Sequence, residues 1–205
     1  STHEAQASYR IMPICCCLGE AAGAAMLCIH GRTRAQGYAP GVNRAVIRAV
    51  KQAVRIPVLA NGDIYTPADA LSMLAETGCD GIMVARGAMG RPWLFAEIRA
   101  ALRGENYTPP DPEQRFDIAL EQVRAMIREK GDRVGLAEAK KHLAWYCTGL
   151  DGAAECRARI MRAGSLDEMQ TAVRALAAAQ DGRLRALPPR SSGAANPEKT
   201  GGVLR

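Results

Sequence analysis

Hydrophobic positions in the first half of the chain alternate between short continuous runs and helical spacing. Apolar runs occupy residues 24–30, 56–60 and 81–85, and runs of this length are typical of buried strands. Amphipathic helices are predicted between them, at about residues 43–54 and 67–77. This order of strands and helices predicts parallel strands joined by right-handed crossovers. We therefore expect an α/β fold.

The second of these helices carries the clearest signals for its two ends. Thr66 is placed to act as its N-cap, Pro67 occupies its first position, and Asp69 falls in its first turn. Gly78 follows the last position, where a left-handed residue often closes a helix. The sequence therefore predicts a helix over residues 67–77 with both ends fixed.

From residue 111 onward the hydrophobic spacing becomes entirely helical. Asp111 is placed to open a long helix that Gly131 is expected to end, and Ser165 with Glu168 forms a capping-box pattern for the last helix. Apolar residues recur at helical spacing on the two sides of Gly131: Phe116, Leu120, Val123 and Ile127, then Leu136, Ala139, Leu143 and Tyr146. Helices that follow an α/β unit predict a small separate bundle.

These patterns divide the chain into four parts and a hinge. Residues 1–17 carry no readable pattern, residues 18–104 form the α/β unit, and residues 111–180 form the helical domain. Residues 104–110, with paired prolines, are the expected hinge. Residues 181–205 end in PPRSSGAANPEKTGGVLR, a composition that cannot build a core, and we expect this tail to be disordered.

The composition is that of an ordinary globular protein with a moderate positive charge. Lys and Arg number 27 against 21 Asp and Glu, which gives a net charge of +6; this charge permits a polyanionic partner without requiring one. No apolar run reaches the length of about 18 residues that crosses a membrane, so a cytoplasmic protein is expected. The seven cysteines are expected to be reduced thiols, and the adjacent Cys15, Cys16 and Cys17 lack the spacing of a metal site.

Polar and glycine-rich turns follow the predicted strands, at the edge where parallel sheets bind their ligands. Asn61, Gly62 and Asp63 follow the second strand, and residues 86–90 follow the third. Such glycines let backbone N–H groups approach a phosphate, Arg86 can add a charge-assisted hydrogen bond, and the helix that begins near residue 92 can add its positive end. The alternative is that these glycines only form tight turns.

A histidine and an arginine close the first predicted strand. His30 and Arg32 stand at the same edge of the expected sheet as the two turns. A histidine donor and a guanidinium suit a phosphate or an electron-rich ring, although a single histidine is also common as a structural hydrogen-bonding residue.

Basic and aromatic residues also fall together on a predicted helix. Lys140, Lys141 and His142 precede Trp145 and Tyr146. Basic groups can hold a phosphodiester backbone while aromatic rings stack on bases. The pattern alone favours the simpler interpretation, in which the aromatic residues are core and the lysines are solvated.

Three blocks of the sequence together resemble bacterial tRNA-dihydrouridine synthases. They are IHGRTRAQGY at residues 29–38, IPVLANGDIYTPADALSMLAETGCDGIMVARGAMGRPWLF at residues 56–95, and KKHLAWYCTGLDGAAECRARI at residues 140–160. The resemblance implies an FMN-dependent flavoprotein oxidoreductase on a (β/α)8 TIM barrel, with a C-terminal helical domain that binds tRNA. It implies reduction of particular tRNA uridines to 5,6-dihydrouridine with NADPH, and this chain resembles the last three of eight strands plus the helical domain.

The same resemblance assigns candidate site residues. It implies cofactor binding by His30, Arg32, Asn61, Gly62, Asp63, Ala85, Arg86 and Gly87, with Arg32 at the mouth of the cofactor and substrate site. It implies tRNA contact by Arg34, Lys140, Lys141 and His142.

Besides the family's N-terminal PMAG-like strand, two features of its pattern have no counterpart in these 205 residues. The family's catalytic cysteine in an N-x-G-C-P context is one, and its flavin-contacting lysine is the other. We therefore expect the chain to be inactive by itself and assign it no catalytic residue and no metal. An RNA-binding remnant without catalysis is the main alternative, and a different phosphate-binding barrel enzyme is disfavoured by the HGRTR block.

Overall fold

The computed structural model describes residues 2–33 and 41–186, and its sheet confirms the predicted α/β class. Three parallel strands lie in the order β1 (Leu27–His30), β2 (Val58–Asn61) and β3 (Gly81–Met83). Each strand is shorter than its apolar run. Pro57 has no N–H to donate to the sheet, and β2 begins at the next residue, Val58. The Pro57 carbonyl accepts a hydrogen bond from the N–H of Leu27 at the start of β1.

Four α-helices accompany the sheet. They are α1 (Thr2–Ala21), α2 (Arg44–Ala53), α3 (Pro67–Thr77) and α4 (Leu94–Leu102). No element was predicted for residues 1–17, and α1 covers nearly all of them. The Glu20 carboxylate near its end accepts hydrogen bonds from the N–H groups of Arg55 and Ile56, at 2.9 and 3.1 Å. This contact ties α1 to the turn that leads into β2.

The ends of α3 are those that the sequence predicted. The Thr66 hydroxyl accepts a hydrogen bond from the N–H of Asp69, and the Asp69 carboxylate accepts one from the N–H of Thr66, which makes a complete capping box. Gly78 closes the helix in the left-handed conformation, with φ at 68°. Local signals at both ends therefore place this helix, which in turn positions the β2–α3 turn.

Replacing Thr66 by Ala is expected to lower the free energy of unfolding by about 1 kcal/mol, because one N–H of the first turn loses its acceptor. Thr66→Ser keeps the hydroxyl and serves as the control, with a loss of well under half of that. Urea unfolding of the two variants measures the difference. Equal losses would show that the cap does not act through the hydroxyl.

Three helices make up the second half of the described chain. They are α5 (Pro112–Tyr146), α6 (Ala153–Arg162) and α7 (Leu166–Ala186). Asp111 caps α5 with Gln114 in a capping box, and Gly131, with φ 76° and ψ 165°, breaks it into two arms. Gly131 therefore interrupts the helix at the position that the sequence predicted.

The start and the end of α7 differ from the prediction. The Ser165 hydroxyl accepts a hydrogen bond from the N–H of Glu168, but the Glu168 carboxylate accepts its bond from the N–H of Gly164, one residue before the expected partner. The helix continues to Ala186, so it includes the first six residues of the predicted tail. The rest of that predicted tail, residues 187–205, lies outside the described residues.

Two hydrophobic clusters hold these elements together. The first packs the sheet against its helices, with Ile47, Val58, Met73 and Leu94 fully buried. The second lies among α5, α6 and α7, with Phe116, Leu120, Leu143, Ile160 and Met169 fully buried. Trp93, just before α4, belongs to the second cluster, and its ring centroid lies 6.2 Å from that of Tyr146. The α4 entry therefore packs against the α5 end.

The cysteine triplet is part of α1. Cys16 is buried, and the Cys17 thiol donates a hydrogen bond to the carbonyl of Ala53 at 3.3 Å. Within the described ranges, no group of three or more His, Cys, Asp or Glu side chains is placed to hold a metal ion. Among these same residues no helix is long and apolar enough to cross a membrane.

Candidate functional site

The register of the sheet brings the ends of all three strands together. His30 pairs with Asn61, and Asn61 pairs with Met83. A cavity of about 280 Å³ lies at this edge. All eight residues that the sequence assigned to cofactor binding line it, together with three that it did not assign, Ile64, Tyr65 and Met83.

The turn after β2 requires its glycine. Gly62 has φ at 126°, and a Cβ added there would lie 2.6 Å from a methyl carbon of Val42 and 3.0 Å from two ring atoms of His30. Asp63 also lies in the left-handed region, with φ at 52°; Asp and Asn tolerate this conformation better than other side chains. The tight turn therefore presses its backbone against the His30 ring and turns the Asp63 side chain toward the cavity wall.

Arg32 forms the most deeply buried ion pair in the described part of the site. Its guanidinium Nη2 lies 2.5 Å from Oδ2 of Asp63, and only 4% of the Arg32 side chain is exposed. Arg32 was predicted at the mouth of the cofactor and substrate site, and the structure places it in the cavity wall, paired with Asp63. Its Nε is buried and has no hydrogen-bond partner among the residues that the structure describes. A buried N–H without an acceptor carries a desolvation cost, which a hydrogen-bond acceptor would remove.

His30 is fixed by the strand beside it. Its Nδ1 lies 3.2 Å from the carbonyl oxygen of Asn61. Because a carbonyl can only accept, this contact requires the proton on Nδ1. The other ring nitrogen, Nε2, is therefore the one available to a ligand at the cavity.

Arg86 connects both sides of the cavity. Its guanidinium lies 3.7 Å from Oδ1 of Asp63 and 5.7 Å from the centroid of the Tyr65 ring. The 3-10 turn Arg86–Ala88 follows, and a Cβ added at Gly87 would lie 2.2 Å from the carbonyl oxygen of Ile64. Ala85 has φ at −112°, so its backbone is outside the left-handed region that favours glycine.

A larger cavity of about 640 Å³ adjoins the first. Tyr65, Arg86 and Gly87 line both. The larger cavity lies between the β3–α4 turn and α5 and adds two arginines, Arg91 and Arg115, and two tryptophans, Trp93 and Trp145. None of the eleven residues that line the smaller cavity belongs to α4. The positive N-terminal end of α4, which was predicted to help bind a phosphate, lies instead beside the larger cavity.

Arg115 is the most desolvated arginine of the larger cavity. Its guanidinium carbon lies 5.2 Å from the centroid of the Trp93 ring, and one of its nitrogens donates to the carbonyl of Thr148 at 3.3 Å. Burial, with a smaller effect of nearby Arg91, lowers the pKa of Arg115 from its usual value. Arg91 pairs with buried Glu97. The wall of this cavity therefore holds one carboxylate, that of Glu97, and the guanidinium groups of Arg86, Arg91 and Arg115.

The predicted tRNA-contacting residues on α5 have unequal surroundings. Lys140 donates a hydrogen bond to the carbonyl of Met161 at 3.1 Å, at the end of α6. Lys141 is exposed, and its ammonium lies 5.6 Å from the centroid of the Trp145 ring. The His142 ring packs edge-on against the same tryptophan, with centroids 4.8 Å apart. Arg34 lies outside the described residues.

A sequence model for dihydrouridine synthases matches residues 10–181 of this chain. The chain belongs to the dihydrouridine synthase family.

Several bacterial members of the family are similar to it over most of its length. A probable tRNA-dihydrouridine synthase of Mycobacterium leprae is 42% identical over 154 residues, which are 74% of this chain and 40% of the relative. Probable tRNA-dihydrouridine synthase 1 of Synechocystis is 45% identical over 72% of this chain and 41% of the relative. The tRNA-dihydrouridine synthase B of Pseudomonas putida is 44% identical over 69% of this chain and 42% of the relative. The chain therefore spans about two fifths of the length of the curated relatives that it matches.

Some residues of the two cavities were missed by the sequence analysis although their signals were present. Tyr65 stands two positions after Asp63 and Arg91 directly follows Gly90, so both lie next to the two turns that had been singled out. Arg115 carried no local signal. It lies 22 residues after Trp93 in the sequence, and the packing of α5 on the α4 entry brings the two together.

Proposed function

We propose that this chain supplies part of an FMN site and a tRNA-binding surface for the reduction of tRNA uridine to 5,6-dihydrouridine, with NADPH as the reductant. The observation that carries the proposal is the single cavity lined by all eight residues predicted from the family's sequence pattern. The three strands are then part of a TIM barrel, and α5–α7 form the helical domain that helps to hold tRNA.

The residues of the smaller cavity fit a flavin mononucleotide. The buried Nε of Arg32 has no partner within residues 2–33 and 41–186, and a ligand acceptor would satisfy it. The Arg86 guanidinium and the turn at Gly87, too tight for a Cβ, suit a phosphate that approaches the backbone closely. Asp63 holds Arg32 at 2.5 Å and lies 3.7 Å from Arg86, so both guanidinium groups are oriented before any ligand binds.

Bound FMN would supply a hydride, and reduction of the uridine C5–C6 double bond also needs a proton. The residues of this chain bind and orient: His30 offers Nε2 at the cavity because Nδ1 is tied to Asn61. The 205 residues contain no cysteine in the family's N-x-G-C-P setting. We therefore expect them to bind ligands without reducing uridine by themselves.

The larger cavity is the proposed path for tRNA beside the flavin. It shares three residues with the smaller cavity and carries an excess of arginine. Guanidinium groups bind phosphates in a bidentate manner, and a tryptophan ring can stack on an unpaired base. Trp145 lines this cavity and connects it to Lys141 and His142 on α5.

Replacing Arg86 by Met is expected to weaken FMN binding by about tenfold or more, because a charge-assisted hydrogen bond to a phosphate is lost. Titration of FMN by the quenching of its fluorescence measures the affinity. Arg99→Met is the matched control, since it removes the same charge from an exposed position on α4. Its affinity for FMN should equal that of the parent chain.

The same titration separates the two main interpretations. Binding of FMN that depends on Arg86 supports the flavin site. Binding of a tRNA transcript without any FMN binding would contradict it and favour the RNA-binding remnant. Formation of dihydrouridine by the purified 205 residues, free of longer homologues, would contradict the expectation that these residues do not catalyse the reduction alone.

A further inference from the structure

Three polar side chains on the two arms of α5 form a continuous hydrogen-bonded chain. The Tyr146 hydroxyl lies 2.7 Å from Oε1 of Gln122, and Nε2 of Gln122 lies 3.2 Å from Nδ1 of His142. Gln122 stands before Gly131 and the other two stand after it. The break at Gly131 therefore brings together groups that are 20 and 24 residues apart.

The first bond of this chain has a defined direction. A separation of 2.7 Å is typical of O–H···O, whereas N–H···O bonds are usually closer to 2.9–3.0 Å. Tyr146 is 2% exposed, and burial raises the pKa of its hydroxyl to about 12. The hydroxyl is therefore protonated at neutral pH and donates to the carbonyl oxygen of the Gln122 amide.

The orientation of the Gln122 amide then determines which ring nitrogen of His142 carries the proton. With Oε1 held by Tyr146, the group that meets His142 is the NH₂ of Gln122, which can only donate. Nδ1 of His142 must accept, so it carries no proton, and the proton of the neutral ring lies on Nε2.

We propose that Gln122 and Tyr146 are positioning residues that keep His142 neutral with its proton on Nε2, so that it offers RNA a hydrogen-bond donor and not a positive charge. The use of this donor rests on the proposed tRNA function, whereas the state of the ring does not. An acceptor such as a phosphate oxygen is the group that a neutral Nε2–H recognises.

The charges around His142 agree with a neutral ring. Burial lowers the pKa of His142, and Lys141 and Lys130 add to this effect, while the carboxylate of Glu138 opposes it. Glu138 is itself paired with Lys130. A second proton on Nδ1 would also face the Gln122 NH₂, donor against donor. Lys141, over the Trp145 ring, supplies the positive charge of this surface.

Nitrogen-15 NMR of the histidine rings tests the proposal in the free protein. The chain has three histidines, so two-bond ¹H–¹⁵N spectra can assign each ring, and His3 and His30 serve as internal references. At pH 7.5 we expect His142 to show a protonated Nε2 and an unprotonated Nδ1. A ring that carries its proton on Nδ1, or a cationic ring, would overturn the proposal.

Two variants test the roles of the positioning residues. Gln122→Glu presents an acceptor to Nδ1, so we expect the proton to move to Nδ1 and the pKa of His142 to rise. Tyr146→Phe frees the amide to turn over, so a mixture of the two tautomers is expected. Gln170→Glu, on α7, makes the same charge change at a side chain that accepts from Arg124 and should leave the His142 signals unchanged. An unchanged tautomer in both test variants would show that the chain does not position His142.

Titration of an unmodified tRNA transcript at several salt concentrations tests how the donor is used. Lys141→Ala is expected to reduce the slope of log affinity against log salt by about 1, because one phosphate contact is lost. His142→Ala is expected to weaken binding about threefold to tenfold with an unchanged slope, since a neutral hydrogen bond releases no counterion.

The outcomes of the two experiments are independent. A slope that falls equally in both alanine variants would show a charged His142 and overturn the inference. If no tRNA binds even at low salt, the proposed function fails, while the NMR result still decides whether Gln122 and Tyr146 position the ring.

Discussion

Replacing Asp63 by Asn is expected to lower the free energy of unfolding by about 3 kcal/mol, because it leaves the buried Arg32 guanidinium without a countercharge. Asparagine keeps the size of the side chain and also tolerates the left-handed backbone at this position, where φ is 52°. The loss therefore reports the charge pair and not backbone strain. Urea unfolding followed by circular dichroism measures it.

Removing either partner of the Arg32–Asp63 pair should also change the free energy of unfolding by a different amount. Only 4% of the Arg32 side chain is exposed, against 29% of Asp63, and Asp63 has Arg86 as a second cation at 3.7 Å. Arg32→Met should therefore cost less than Asp63→Asn, and the double variant should regain much of the stability that Asp63→Asn loses. As a control, Lys51→Met breaks a more exposed pair with Asp80 and should cost less than about 1 kcal/mol. Equal losses for Asp63→Asn and Lys51→Met would show that burial does not strengthen the first pair.

This ion pair also shows what the sequence could and could not predict about the site. Both residues of the pair lay in a recognisable motif. Because parallel strands bring their carboxyl ends to one edge of the sheet, the common location of the eight predicted cofactor-binding residues could be expected. The pairing of Arg32 with Asp63, 31 positions apart, depends on side-chain geometry within that edge. The sequence therefore indicated the place of Arg32 and not its burial.

The helices also differ in how well the sequence alone predicts them. The boundaries of α3 were predictable because Thr66, Asp69 and Gly78 act locally at its ends. In contrast, α1 contains a proline at position 13 and exposes Ile11 and Ile14, so its sequence lacks a clear apolar stripe. Its place depends on packing along α2 and on the hydrogen bonds of Glu20. Tertiary contacts of this kind leave no periodic signal.

The largest expected effect on the arrangement of the two cavities comes from Gly90→Ala. Gly90 is buried with φ at 67°, and a Cβ added there would lie 2.4 Å from the carbonyl carbon of Trp145 and 2.7 Å from the N of Tyr146. Alanine would add left-handed strain of about 1 kcal/mol and an overlap with backbone atoms that no rotamer change can relieve. We expect the free energy of unfolding to fall by about 3 kcal/mol in total.

Gly104→Ala separates the two contributions. Gly104 has nearly the same φ, 68°, but a Cβ there would meet no atom within 4 Å. Its alanine variant should therefore show the strain alone, about 1 kcal/mol, and the difference between the two variants measures the close approach of the β3–α4 turn to the end of α5. Equal losses would mean that this approach is looser than the structure shows.

The functional consequence of Gly90→Ala should be selective. Gly90 lines the larger cavity with Trp145 and does not line the smaller one. Movement of α5 away from the turn would separate Trp145, Lys141 and His142 from Arg86 and Arg91, the arginines on the sheet side. With the proposed function, we therefore expect tRNA affinity to fall by about tenfold or more, because charge-assisted hydrogen bonds to phosphate are weakened, while FMN affinity changes little. A comparable loss of both affinities would show that the two cavities are not separable sites, because the smaller cavity would then depend on the position of α5.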